Sequence, residues 1–251
     1  MQDASSAEPI AATAAKAAID APLRRALDVP AGTRVGMVLC GFIPMLHGIA
    51  TVAPIALAIA GRAPWAAAWL TPAILFLVPP IAVRLTTTVM PLAGGVVDPA
   101  SRQFLHWWFT AQCQIVFARF PFFEELLRMV PGLYSMWLRL WGARVGALVY
   151  WSPGVTIIDR PLVQIGNRVV FGLGVRINPH VLAPDRSGRT MLHVGVVSIG
   201  DDALVGGYSL LLPGSSIGEG EITPPHRSLR PFAQFARGRQ GARNGPDDPH
   251  A

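Results

Sequence analysis

The chain has 251 residues, 51% of them hydrophobic and only 14% charged, with a mean hydropathy of +0.41. A soluble domain carries about 25% charged residues, so the deficit excludes a protein whose whole surface faces water. The formal charge of +6 and pI of about 10.3 fit an anionic membrane surface as well as nucleic acid.

Residues 1–34 open with an Ala-rich polar stretch and predict a disordered or frayed N-terminal tail. Between Arg34 and Arg62 lie 27 residues without formal charge, and between Arg62 and Arg84 lie 21 more. About 20 apolar residues cross a bilayer as a helix, so residues 35–90 predict a two-span hairpin. A signal peptide fits poorly, because its apolar core is shorter and nearer the start. A re-entrant hairpin is the closer rival, given Pro54, Pro72, Pro79 and Pro80. Trp65 and Trp69 fall near the turn, where interfacial aromatics belong. His47 lies in the first span and is expected to face the partner helix, neutral. Lys and Arg flank the hairpin on both outer sides, and its turn holds only Arg62. The positive-inside rule then puts both termini in the cytoplasm, with the hairpin in the cell membrane. Cys40 and Cys113 sit in apolar segments and predict buried thiols without a disulfide.

Residues 101–143 hold four of the seven Trp and six of the eleven Phe, interleaved with Arg. They predict two or three amphipathic helices at the membrane interface, broken near Pro121 and Pro131 and stopped at Gly142. Nucleic acid is excluded as a partner: the segment is too apolar and no base-reading motif follows.

From residue 144 to 231 the pattern is a repeat of six. IGNRVV, FGLGVR and INPHVL run from 165 to 182, and IGDDAL, VGGYSL, LLPGSS and IGEGEI from 199 to 222. Every first position is apolar: Ile165, Phe171, Ile177, Ile199, Val205, Leu211 and Ile217. Gly fills the second position in five of the seven, where a corner needs a small residue and unusual torsions. A period of six predicts an all-β left-handed parallel β-helix, three hexads to a coil. A sandwich would give turn signals every 8–12 residues instead. VGALVY and WSPGVT fit loosely upstream, a two-residue offset falls near 161–164, and residues 183–198 predict an ejected loop. From 232 to 251 a basic disordered tail is expected.

His180 is the fourth position of its hexad, just before the ejected loop, where a side chain points outward. It is the first group on that wall able to move a proton near neutral pH. The hexads with this histidine resemble the hexapeptide-repeat acyltransferases. More narrowly, IIDRPLVQIG, the Asn178-Pro179-His180 phrase and the hairpin resemble the membrane-linked C-terminal domains of ε-poly-L-lysine synthetase and related nonribosomal peptide synthetases. That resemblance covers about residues 100–230. The loop after His180 is one residue longer than the family's, and these 251 residues hold no adenylation or carrier sequence.

The resemblance implies acyl transfer from a coenzyme A or phosphopantetheine (carrier-protein) thioester to an amine or hydroxyl, with no bound cofactor and His180 as general base. Asp159, 21 residues earlier and about one coil below, is placed to orient the imidazole. Asp185, as a further catalytic residue, and Arg186, as a thioester-binding one, match the family's loop pair approximately. Asn178, Gly206, Gly207 and Ser209 are candidates for binding the thioester, the glycines by flattening a face for a pantetheine arm. The family further implies a homotrimer with sites between neighbours, and membrane lipids and a carrier protein as partners. The rival from another class is a catalytically silent β-helix that scaffolds a synthetase at the membrane. A γ-type carbonic anhydrase relative would need zinc on His180, His193 and His226, but no close His pair exists and no metal is expected.

Overall fold

The computed structural model describes residues 29–184 and 189–242. Helices α1 (Ala31–Gly41) and α2 (Ile43–Ile59) form one apolar stretch interrupted at Phe42, and α3 (Pro64–Val89) returns antiparallel to it. Helix thus begins four residues before the expected hairpin boundary. Both stretches are long and apolar enough to cross a membrane. Large apolar side chains such as Leu39, Ile49, Trp69 and Leu77 are exposed on them. His47 Nε2 lies 3.2 Å from the carbonyl of Ile74 on α3, facing the partner helix. Cys113 is buried, whereas Cys40 is half-buried, and both are free thiols.

Strand β1 (Gly95–Val97) leads into α4 (Arg102–Arg119), α5 (Phe122–Arg128) and α6 (Leu133–Trp141). Ser101 caps α4 by accepting from the Phe104 N–H. Gly142, at φ 105°, stops α6. The aromatic side chains of this layer do not make the interfacial belt their composition suggests. Phe104, Trp107, Phe117, Tyr134, Trp137 and Trp141 are buried, because the β-helix and the hairpin offer them apolar faces on two sides. Their indoles act as ties between layers. Trp108 donates to Met37 O of α1, Trp137 to Phe76 O of α3, and Trp151 of the β-helix to Ser135 of α6. Phe120, Phe122 and Met129 remain exposed.

Next comes a three-faced parallel coil. One face stacks β2 (Arg144–Val145), β5 (Val163–Ile165), β10 (Val197–Ile199), β13 (Ser216–Ile217) and β15 (Ala233–Ala236). The second stacks β3 (Tyr150–Trp151), β6 (Val170–Phe171) and β11 (Leu204–Val205). The third stacks β4 (Thr156–Ile157), β7 (Arg176–Ile177), β12 (Leu210–Leu211) and β14 (Ser228–Leu229). First-position side chains pair in register along each face. Val145, Ile165, Ile199, Ile217 and Phe235 form one row, and Ile157, Ile177, Leu211 and Leu229 another. These rows are the buried core. Burying each such side chain contributes about 1.5–3 kcal/mol.

Glycine at the second position answers a different need from the one expected. A Cβ on Gly172 would lie 2.4 Å from the Gly207 nitrogen, and one on Gly206 2.4 Å from the Pro224 carbonyl carbon. Close approach of stacked coils therefore selects Gly there. The left-handed torsions fall at the fourth position instead, at Leu148, Arg168, Gly174, Asp202, Tyr208 and Gly214. The offset near 161–164 is a 3₁₀ turn, Arg160–Leu162. The interruption before residue 198 is not a loop but a hairpin, β8 (His180–Pro184) and β9 (Thr190–Val194), to which β1 adds a third antiparallel strand. Alternating apolar residues on β9 pack this sheet against α4: Leu192 and Val194 are buried with Phe104 and Trp107. The expected disordered tail from 232 is also corrected. Phe235 lies 18 residues after Ile217 and extends its row, and β15 turns back through Gly238 (φ 68°) into β16 (Arg239–Ala242). Residues 1–28 and 243–251 of the two predicted tails lie outside the described residues.

Candidate active site

Two places break the hexad register, and both follow the third face. After Ile157 the chain leaves the coil through Asp159, whose φ of 49° is left-handed. After Ile177, one coil on and paired with Ile157, it leaves through His180 into β8. His180 is a fourth-position residue without the left-handed torsion of its equivalents, because β8 continues outward in extended conformation. The two departures bring the side chains together: His180 Nδ1 is hydrogen-bonded to Asp159 Oδ2.

The carboxylate is enclosed. Asp159 is 2% exposed, and its Oδ1 accepts from the Trp107 indole N–H at 3.1 Å. The Trp107 ring also meets the His180 ring edge-to-face, with centroids 4.7 Å apart. One side chain of α4 therefore holds both members of the pair. The His180 side chain is 23% exposed, whereas that of Asp159 behind it is 1% exposed. In a neutral imidazole that donates Nδ1–H to a carboxylate, the lone pair lies on Nε2.

A buried ionic network fixes the next residue. The Arg160 backbone N–H and its guanidinium both donate to Gln114 Oε1 of α4 at 2.9 Å. The guanidinium also pairs with Glu124 of α5 and packs over the rings of Phe117, Trp137 and Trp141. Glu124 accepts in turn from Tyr134 at 2.5 Å and Arg128 at 3.2 Å. Burial, then the Glu124 charge, pushes the Tyr134 phenol far above its ordinary range, so it stays a donor. Gln114, Glu124, Arg160 and Trp107 were not legible as site residues. Trp107 lies 52 positions from Asp159, and no spacing rule links them.

The other sequence candidates separate. Asn178 lies in the same corner two residues before His180, with its backbone N–H bonded to Leu211 O. Gly206 and Gly207 approach Pro224 and Leu173 of adjacent coils. The buried Ser209 hydroxyl accepts from the Arg227 N–H at 3.1 Å. These three residues each contact an adjacent coil, and Gly207 is half-buried. Asp185 and Arg186 lie outside the described residues. His193 is buried on β9, and His226 stacks on Tyr208 with centroids 5.3 Å apart. Among the described residues no group of three His, Cys, Asp or Glu side chains gathers to hold a metal. Burial, with the Cys40 thiol nearby, pushes the Cys113 thiol up to about 12, which removes it as a nucleophile.

No family model matches the sequence, and no curated protein matches it. Among solved structures, the chain is similar to a hexapeptide-repeat acetyltransferase from Vibrio cholerae O1 biovar eltor complexed with acetyl coenzyme A. Identity is 19% over 37% of this chain and 54% of that one, about half its length, with a TM-score of 0.31. A maltose O-acetyltransferase from Clostridium difficile 630 matches at 18% identity over 47% of this chain and 81% of that one, TM-score 0.27. Soybean serine acetyltransferase matches at 20% over 76% and 67%, TM-score 0.25.

Proposed function

We propose that the protein is a membrane-embedded acyltransferase of the hexapeptide-repeat, left-handed β-helix class. In this reading it uses a coenzyme A or carrier-protein thioester and works as a homotrimer. The hairpin lies in the cell membrane with the β-helix on the cytoplasmic side. The observation that carries the chemistry is the His180–Asp159 pair, with a partly exposed imidazole backed by an enclosed carboxylate.

An acceptor amine or hydroxyl gives its proton to His180 Nε2 as it attacks the thioester carbonyl. The new C–N or C–O bond forms, and the tetrahedral oxyanion is met by backbone N–H groups at a coil edge. Collapse breaks the C–S bond, and the leaving thiolate takes the proton back from Nε2. Asp159 holds Nδ1–H throughout and so keeps the lone pair on Nε2. A positioned general base of this kind contributes about 10²- to 10⁴-fold.

The test is thiol release by the purified protein in detergent, with a panel of acyl and aminoacyl thioesters and amine or alcohol acceptors. Acceptor-dependent release that falls at least about a hundredfold in His180→Ala is expected. Equal rates in both proteins would remove His180 from the chemistry. Silence across the panel would favour the catalytically silent scaffold.

A further inference from the structure

The geometry points to a binding site for one anionic phospholipid, built where α3 meets α6 and the first coil of the β-helix. Two adjoining spaces make it. The first is an apolar groove of about 730 Å³ between α3 and α6, lined by Trp69, Ala73, Phe76, Leu77, Met136 and Leu140 among others. The second is a polar cavity of about 590 Å³ at the end of the coil, where Arg84, Arg139 and Arg144 converge around Gly142 and Gly146. Arg139 lines both. Its guanidinium is held by the carbonyls of Val145 and Gly146, each at 2.8 Å, so its charge is fixed in the cavity while the side chain also borders the groove.

Charge identifies the head of the occupant. None of the three guanidiniums has a carboxylate partner among the described residues, and no carboxylate lines the cavity. Three arginines at one wall suit a phosphate. Length identifies the tail. Arg84 lies 20 residues into α3 from Pro64, about 30 Å along the helix, which is the thickness of the hydrocarbon core. That places Arg84 at headgroup depth if α3 crosses. From Arg84 back to Trp69 is 15 residues, about 22 Å, so the groove runs inward from the arginines in the direction an acyl chain takes. The groove volume lies within the range of about 300–1,000 Å³ usual for small-molecule sites. Charge complementarity at one end and an apolar channel at the other fit phosphatidylglycerol-like chemistry rather than a protein segment. This inference rests on the membrane placement of the hairpin but not on His180, and thiol release remains a separate readout.

Native mass spectrometry of the full chain in detergent tests it. The probes are phosphatidylglycerol, phosphatidylcholine with the same acyl chains, and inorganic phosphate. Phosphatidylglycerol should be retained in preference to phosphatidylcholine. Arg84→Gln with Arg144→Gln should weaken that retention about tenfold or more. Ala73→Phe fills the groove without touching a charge and should weaken it too, which keeps the test sound if the arginine variant unfolds. Equal retention of the two lipids, or phosphatidylglycerol binding unchanged in both variants, overturns the site. Displacement of the lipid by an equal concentration of inorganic phosphate also overturns it, by assigning the arginines to a free anion.

Discussion

The imidazole of His180 and the carboxylate of Asp159 are hydrogen-bonded across the same corner of two successive coils. Each residue stands where its coil departs from the six-residue repeat, one into a 3₁₀ turn and the other into a hairpin. A regular coil would put an outward fourth-position side chain at each corner and bring no inward carboxylate against it. Breaking the repeat twice at one corner is what builds the pair.

Asp159→Asn should lower kcat for thiol release about a hundredfold or more while KM changes no more than about threefold. Asn can present its own N–H to Nδ1 and so favour the tautomer with the proton on Nε2, which cannot act as a base. The thermal midpoint, followed by tryptophan fluorescence in detergent, should move far less than the rate. A collapse of KM and midpoint together would mean that Asp159 is structural only.

Arg160 and Glu124 should behave as a coupled buried pair. Arg160→Met leaves Glu124 with a buried charge short of a partner and should cost about 3–5 kcal/mol. Glu124→Gln keeps an acceptor for Tyr134 and Arg128, so the double variant should lose at least about 1 kcal/mol less than the two single losses summed. Strict additivity in thermal or denaturant unfolding would show the pair to be uncoupled.

Two glycines of the coil should respond differently to substitution. At Gly172 a Cβ would meet the Gly207 backbone nitrogen at 2.4 Å, so Gly172→Ala should destabilise by about 1–3 kcal/mol or more. That is a fall of several degrees in midpoint at about 2–4 °C per kcal/mol. Gly220 has φ +66° and open space around it, and Asn tolerates that torsion. Gly220→Asn should therefore stay within about 0.5 kcal/mol. The reverse order would refute close coil approach as the reason for second-position glycine.

His106 on α4 is buried, with neither ring nitrogen hydrogen-bonded among the described residues. Burial holds its pKa below the ordinary histidine value. The unfolded chain then binds the proton more readily than the folded one, so this residue's contribution is complete above about pH 6.5 and is lost as pH falls through the lower folded value. Wild-type midpoints should drop from pH 7 to pH 5 more steeply than those of His106→Leu. Parallel pH curves for the two proteins would show that His106 does not titrate on unfolding.

The hexad rows, the apolar hairpin and the two interruptions of the coil were all legible in the sequence, because each is encoded locally. A side chain every six residues stacks on its equivalent one coil away whatever else the chain does, and an uncharged run of 27 residues is apolar in any context. Even the Asp159–His180 spacing could be counted along the repeat. Tertiary structure alone decided the rest. Trp107 reaches Asp159 only through the angle at which α4 crosses the coil, and α4 is held there by its buried aromatic face, Gln114 and the β1–β9 pairing. The same packing turned an apparent interfacial belt inward, since an aromatic face reads alike whether it meets lipid or protein. Ser209 and Gly206 also meet the next coil, because a repeat shows which residues stack but not which side chains and backbone atoms bridge the coils.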